Sequence, residues 1–373
     1  MTASQVPALA PNETAASTTK IASDATETPT ADPDNYNNLA DALSALPVGA
    51  NHVRFTNWAL IKELEGFEPI TSDSSGDERF EFYRTALLRH AVPSHFALRS
   101  IGAHADYWGW ESDDLDWETN VSVSMAPGYV LKFRDGYVFD SVLENFEERG
   151  FIASVYNGVT VYTHTMELQA DWLLVTEFSI LNTAVLADAG MLFLSIMPET
   201  VYEMVDAYQE RTPSLMDIPE VKATVGTLGE VPGAFVSANA CEAFDPEALL
   251  KRAGPLRPRD QIEAQLDDRP QLQDYETLGI GYRYDDDEPV GLIVMDFASV
   301  EAANADLESR RWLATEGHIQ DVTLQTYSDV YFSLSDAYVE GDQIVFRARL
   351  VDGKPHHLFT MIDRDDLVFA TCP

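Results

Sequence analysis

Lysine is scarce in this chain. Only Lys20, Lys62, Lys132, Lys222, Lys251 and Lys354 occur in 373 residues, so arginine supplies 18 of the 24 basic side chains. Against these stand 62 Asp and Glu, a formal charge of −38. Such a surface repels polyanions, which speaks against nucleic acid and anionic lipid surfaces as partners. Cysteine is almost as rare. Cys241 and Cys372 lie 131 positions apart, with no CxxC and no Cys/His metal spacing. In an oxidising compartment they are expected to form one disulfide. Long apolar runs are missing too. The most apolar stretch, 172–197, is broken by Glu177, Asn182 and Asp188, so no transmembrane segment is expected. There is no G-x-S-x-G, no G-x-x-x-x-G-K-[ST] and no G-x-G-x-x-G opening a βαβ unit, which leaves serine-hydrolase and nucleotide chemistry without support.

What is present is enough to fold. Hydrophobic residues make up 45% of the chain and aromatics 10%, which excludes general disorder. The carboxylates are spread along the whole folded region rather than gathered at one place. A lysine-poor, carboxylate-rich surface stays hydrated when salt screens its repulsion, so adaptation to high salt is the reading of the charge. Residues 1–36, rich in Ala, Thr, Ser, Pro and Asp, read as a disordered tether. Such a tether commonly follows a removed signal or a lipid-anchored residue, so a membrane tether through a processed N-terminus is one expectation. A cytoplasmic tail is the alternative.

Periodicity divides the rest into an α+β protein of two antiparallel-sheet units with covering helices. The first domain is 37–245. Helices are expected at 36–46, 58–64 and 78–90, the last with Phe80, Tyr83, Leu87 and Leu88 on one side. From 121 to 245 the order β-α-β-β-α-β predicts a ferredoxin-like core: a strand at 129–133, a helix at 139–149 and a hairpin closed by Asn157-Gly158. A second hairpin around 183–196, a helix at 198–208 and a strand at 234–240 complete it. A proline-rich linker, 246–274, precedes the second domain, 275–373. There, strands at 277–284 and 290–297 lead into a helix at 300–316 with Ala303, Leu307 and Trp312 inward. Four more strands are expected near 323–327, 330–339, 343–350 and 358–369.

Few residues invite chemistry. His90, His95, His104 and Asp106 offer four potential ligands within a short stretch, and zinc binds imidazole and carboxylate in such sets. The acidic runs Asp113–Asp114–Asp116–Glu118, Asp285–Glu288 and Asp363–Asp365–Asp366 suggest calcium, although none has the EF-hand arrangement. Tyr107, Trp108, Trp110 and Trp117 form an aromatic group that suits either partner binding or a small core beneath a loop.

The acidic DDLDW stretch at 113–117, the strand and helix after it, and the strand ending GVTVY at 158–162 resemble a pattern in uncharacterised exported, often lipid-anchored prokaryotic proteins. Residues 183–208 and the Ala45-Leu46-Pro47 opening resemble it as well. The resemblance implies export and brings no catalytic residues. The sequence therefore reads as an exported or surface-tethered, non-catalytic binding or structural protein, with no cofactor required. Its partner is expected to be a protein or glycan at the cell surface. The alternatives are a metal-dependent hydrolase and a cytosolic subunit of a halophile assembly.

Overall fold

Asn157 and Gly158 adopt positive φ, 49° and 85°. They turn β4 (Ile152–Tyr156) into β5 (Val159–Thr163), matching the twist that favours two-residue hairpins. The computed structural model describes residues 37–98, 103–123, 126–164, 181–244, 270–317 and 325–373, with positions 259 and 263. The expected tail 1–36 and most of the expected linker 246–274 lie outside the described residues.

The remaining strands are β1 (Ala50–Asn57), β2 (Leu115–Val123), β3 (Ala126–Phe133), β6 (Asn182–Leu186), β7 (Met191–Ser195) and β8 (Gly233–Ser237). They are followed by β9 (Thr277–Asp285), β10 (Glu288–Asp296), β11 (Phe332–Glu340) and β12 (Gln343–Leu350). All twelve belong to one sheet, in the order β11-β12-β10-β9-β8-β1-β2-β3-β7-β6-β5-β4. Every neighbouring pair is antiparallel.

The α+β class is as expected, but the two sheet units are not. β8 pairs with β1 on one side and with β9 on the other, from Gly233↔Tyr282 to Ser237↔Leu278, so the sheet runs straight across the expected domain boundary. Glycine permits this join. A Cβ at Gly279 would lie 2.5 Å from Thr224 Cγ2, and one at Gly281 would lie 3.3 Å from the Gly233 carbonyl oxygen. Their absence lets α7 (Pro219–Leu228), from the first half, lie directly on β9 of the second. The ferredoxin-like order also gives way. α5 (Asp140–Glu148) carries the chain from β3 past three strand positions to the edge strand β4, and β4-β5-β6-β7 then returns as a meander until β7 meets β3.

Helices cover both faces rather than one, because strand residues alternate between two apolar sets. Val130, Phe193, Leu292 and Val294 pack on one face with α1 (Asn38–Ser44), α6 (Pro198–Tyr208) and α7. On the other face Tyr129, Leu131, Leu192 and Leu194 meet α2 (Trp58–Glu65), α3 (Gly76–Arg89), α4 (Ala103–Trp108) and α5. Ile293, Met295, Ile344 and Phe346 meet the helices Val300–Thr315, Tyr327–Val330 and His356–Asp363. The last replaces the strand expected near 358–369: after Pro355 the buried residues Leu358, Phe359, Met361 and Ile362 follow a helical spacing, while the strand expected near 323–327 lies partly outside the described residues.

Candidate functional site

α3 opens on Ser75, whose side chain accepts from the Glu78 amide while Glu78 accepts from the Ser75 amide. This reciprocal cap satisfies two amide donors at the start of the helix. Phe82, Tyr83 and Ala86 are buried, and Phe82 packs edge-on to Trp58 with ring centroids 6.2 Å apart. Of the four residues expected to share the buried side, only Tyr83 does so. Phe80, Leu87 and Leu88 face outward, 69%, 52% and 65% exposed, and line a cavity of about 620 Å³ with Arg79, Arg84 and Glu111.

Beneath α3 lies the first acidic run. Arg79 donates to Asp113 (2.5 Å) and Glu111 (2.9 Å), and Arg134 donates to Asp114 (2.8 Å). The buried Lys62 ammonium donates to the carbonyls of Asp113 (2.6 Å) and Leu115 (3.0 Å). Burial pulls its pKa down while Asp116, Asp113 and Asp114 pull it up. Two arginines thus hold the Asp113 and Asp114 carboxylates that a calcium ion would need, Lys62 ties down the main chain beside them, and the run acts as a buried ionic cluster pinning α2 and α3 to β2. The second run sits in the β9–β10 turn, where Asp285 pairs with Arg347 and with Arg283. In the third, Asp363 pairs with Arg54 at 2.6 Å and Asp366 accepts from the Tyr331 hydroxyl.

Glu118 differs from the other acids of its run. It is fully buried, with Trp58 Nε1 (3.2 Å) and the Ala97 amide (3.0 Å) donating to its two oxygens. Burial without a facing cation pushes its carboxyl up to about 7.

The expected metal ligands are not one cluster. His90 Nε2 lies 2.8 Å from Glu65 and its Nδ1 lies 3.3 Å from the Tyr284 hydroxyl, and burial holds the imidazole below its ordinary pKa. His104 stacks on Trp110 at 4.3 Å and donates from Nε2 to the Phe96 carbonyl at 3.2 Å. His95 is exposed in a small cleft of about 150 Å³ with Arg54, His356, Thr360 and Asp363. The Asp106 side chain lies outside the described residues. Among the described residues, the only His/Cys/Asp/Glu trio within ligating reach is Cys241, Asp274 and Cys372. Its two sulfurs are joined, so neither is a thiolate.

The expected aromatic binding group is interior. Trp108 and Trp110 belong to the core beneath α3 and α5, with Trp108 edge-on to Phe146 at 6.2 Å. Trp117 lies on the opposite face of the sheet against Phe55, 6.2 Å away. The sheet itself divides the group. The Tyr107 side chain lies outside the described residues.

The disulfide is formed. Cys241 and Cys372 are bonded with Cα atoms 5.4 Å apart, closing the C-terminal end onto the segment after β8. No helix of the described residues is long and apolar enough to cross a membrane.

No known family profile matches this chain, and no curated protein matches it. Among solved structures it is similar to crystal forms III and IV of TP0453, at 10% and 11% identity. The matches cover 86% of this chain and 97% and 96% of those chains, with TM-scores of 0.39 and 0.40. A likeness at that level carries no argument here about fold or role.

Proposed function

We propose that this chain is an exported or surface-tethered protein, binding or structural rather than catalytic, adapted to a saline exterior. The Cys241–Cys372 disulfide carries the reading. A bond joining residues 131 positions apart persists where thiols are not continually reduced, outside the cytosol. The charge supports the same compartment, since 62 carboxylates over 24 basic groups suit a medium in which salt screens repulsion. The interior placement of Trp108, Trp110 and Trp117 and the cation-paired acids of the first run support a scaffold, because these groups serve packing. The partner is a protein or glycan at the cell surface.

The test is a non-reducing intact mass, with thiol alkylation, on protein purified from its native host. The expected result is no alkylation at Cys241 or Cys372 and a chain two hydrogens lighter than the dithiol. Two free thiols in native material, with a melting temperature indifferent to salt, would return the chain to the cytosol. Replacing both cysteines by serine is expected to cost about 2–5 kcal/mol of stability, read from denaturant unfolding.

A further inference from the structure

The outer face of α3 carries an inference independent of compartment. Phe80, Leu87 and Leu88 stand at i, i+7 and i+8, one stripe two turns long, and all three are more than half exposed. The inner face of the helix is already packed by Phe82, Tyr83 and Ala86. A contiguous outward apolar stripe beside a cavity of about 620 Å³ is the surface that an interface buries.

Charge indicates what covers it. A net −38 makes most approaches between two copies repulsive. α3 is balanced, with Asp77, Glu78 and Glu81 against Arg79, Arg84 and Arg89. Its signs are also divided along the axis. The first half holds all three acids, and its one basic residue, Arg79, is turned inward to Glu111 and Asp113. The second half holds Arg84 and Arg89 and no acid. Laid antiparallel, two such helices set acidic half against basic half and stripe against stripe. Laid parallel, they set like charge against like. Antiparallel self-pairing is also what a two-fold axis produces.

We propose that α3 is a self-association face. A second copy of this chain docks α3 against α3, antiparallel, burying Phe80, Leu87 and Leu88 of both. Glu81, which pairs with Arg84 within one helix at 2.5 Å, then also faces Arg84 of the second copy. Pairs enclosed at an interface are screened by salt much less than exposed ones, so the complementarity persists in a saline medium.

Sedimentation equilibrium of the full chain, from micromolar to several hundred micromolar in salt that keeps it folded, is expected to show a reversible shift to twice 41.4 kDa. The double variant Leu87→Asp/Leu88→Asp alters exposed positions only. It is expected to raise the dissociation constant at least about a hundredfold with an unchanged melting temperature. A spin label on cysteine placed at Arg84 is expected to give a shorter inter-copy distance than labels placed at Asp77 or Arg89. Equal distances at the three positions would indicate parallel helices and overturn the geometry. A monomer at every concentration, a dimer indifferent to the Leu87/Leu88 change, or a monomer that instead binds phosphatidylcholine vesicles through Phe80 would overturn the proposal.

Discussion

α3 and the helix Val300–Thr315 break the same rule in the same way. Each turns an arginine inward and a large apolar residue outward, yet the consequences differ. Arg310 is fully buried, donating to Asp306 (2.7 Å) and to the carbonyls of Phe369 (2.8 Å), Thr371 (2.5 Å) and Gln273 (2.8 Å). Its guanidinium also lies 5.0 Å from the Tyr275 ring centroid. It is an internal clamp that holds the C-terminal segment beside Cys372. Arg79 keeps one edge in water and neutralises two acids. Outside, Val300 and Trp312 stand singly, twelve positions apart and 42% and 46% exposed, whereas α3 groups three. A single exposed apolar residue is ordinary, and a stripe of three calls for a partner.

The sharpest way to break this comparison is Arg310→Met. It leaves Asp306 charged and buried, and is expected to cost about 3–5 kcal/mol in calorimetric unfolding. Pairing it with Asp306→Leu is expected to recover only the part due to the unpaired carboxylate, because the carbonyls of Phe369, Thr371 and Gln273 still lose their donor. Arg79→Met is expected to cost distinctly less, because Arg79 is itself partly in water and Lys62 remains beside Asp113. If the two arginine losses were equal, the distinction between clamp and cluster would fail.

Glu118, in the half covered by α3, gives the next effect. Its folded-state pKa, about 7, lies above the reference 4.5, so the folded chain keeps a proton that the unfolded chain has released. Its contribution is fully present below the unfolded value and is lost as pH rises towards 7, a span of about 3 kcal/mol. Chemical denaturation at a series of pH values should show that slope diminished in Glu118→Gln. The ionisation of the other carboxylates acts on both proteins and cancels in the difference. Asp296, in the other half, is pushed up from 3.8 to about 6, mainly by burial, so Asp296→Asn is expected to diminish the slope comparably, in a window displaced to lower pH.

A smaller effect tests the join between the halves. Gly279→Ala places a methyl group against Thr224 on α7 and is expected to cost about 1–3 kcal/mol. The smallest tests the outer stripe: Phe80→Ser is expected to shift monomer stability by less than about 0.5 kcal/mol, whereas Phe82→Ala, two positions on, is expected to cost about 3–5 kcal/mol. Similar losses at both positions would mean that the outer stripe is packed rather than exposed.

Much of the local structure was legible. Asn157-Gly158 specified its hairpin, Pro198 opened its helix, and the alternation at 277–296 specified two strands, because turn chemistry and side-chain period act over a few residues. The face of α3 was not legible. Six apolar or aromatic residues lie within Phe80–Leu88, enough for two different stripes, and the buried one is the side on which Arg79 meets Asp113, thirty-four positions away. The Trp108–Trp117 group misled for a related reason. Nearness in sequence gives no warning that a sheet will pass between two of its members.

The sequence by itself determined the α+β class, most of the hairpins and helices, the charge, and which two cysteines were available to pair. Tertiary structure alone decided that the halves form one sheet, that Asp113 and Asp114 of the first run pair with arginines, and that an apolar stripe on α3 faces outward. The physical reason is range. Propensity and periodicity are set by neighbours along the chain, whereas strand pairing across β8 and β9 and the desolvation of Asp113, Glu118 and Arg310 depend on groups that only folding brings together.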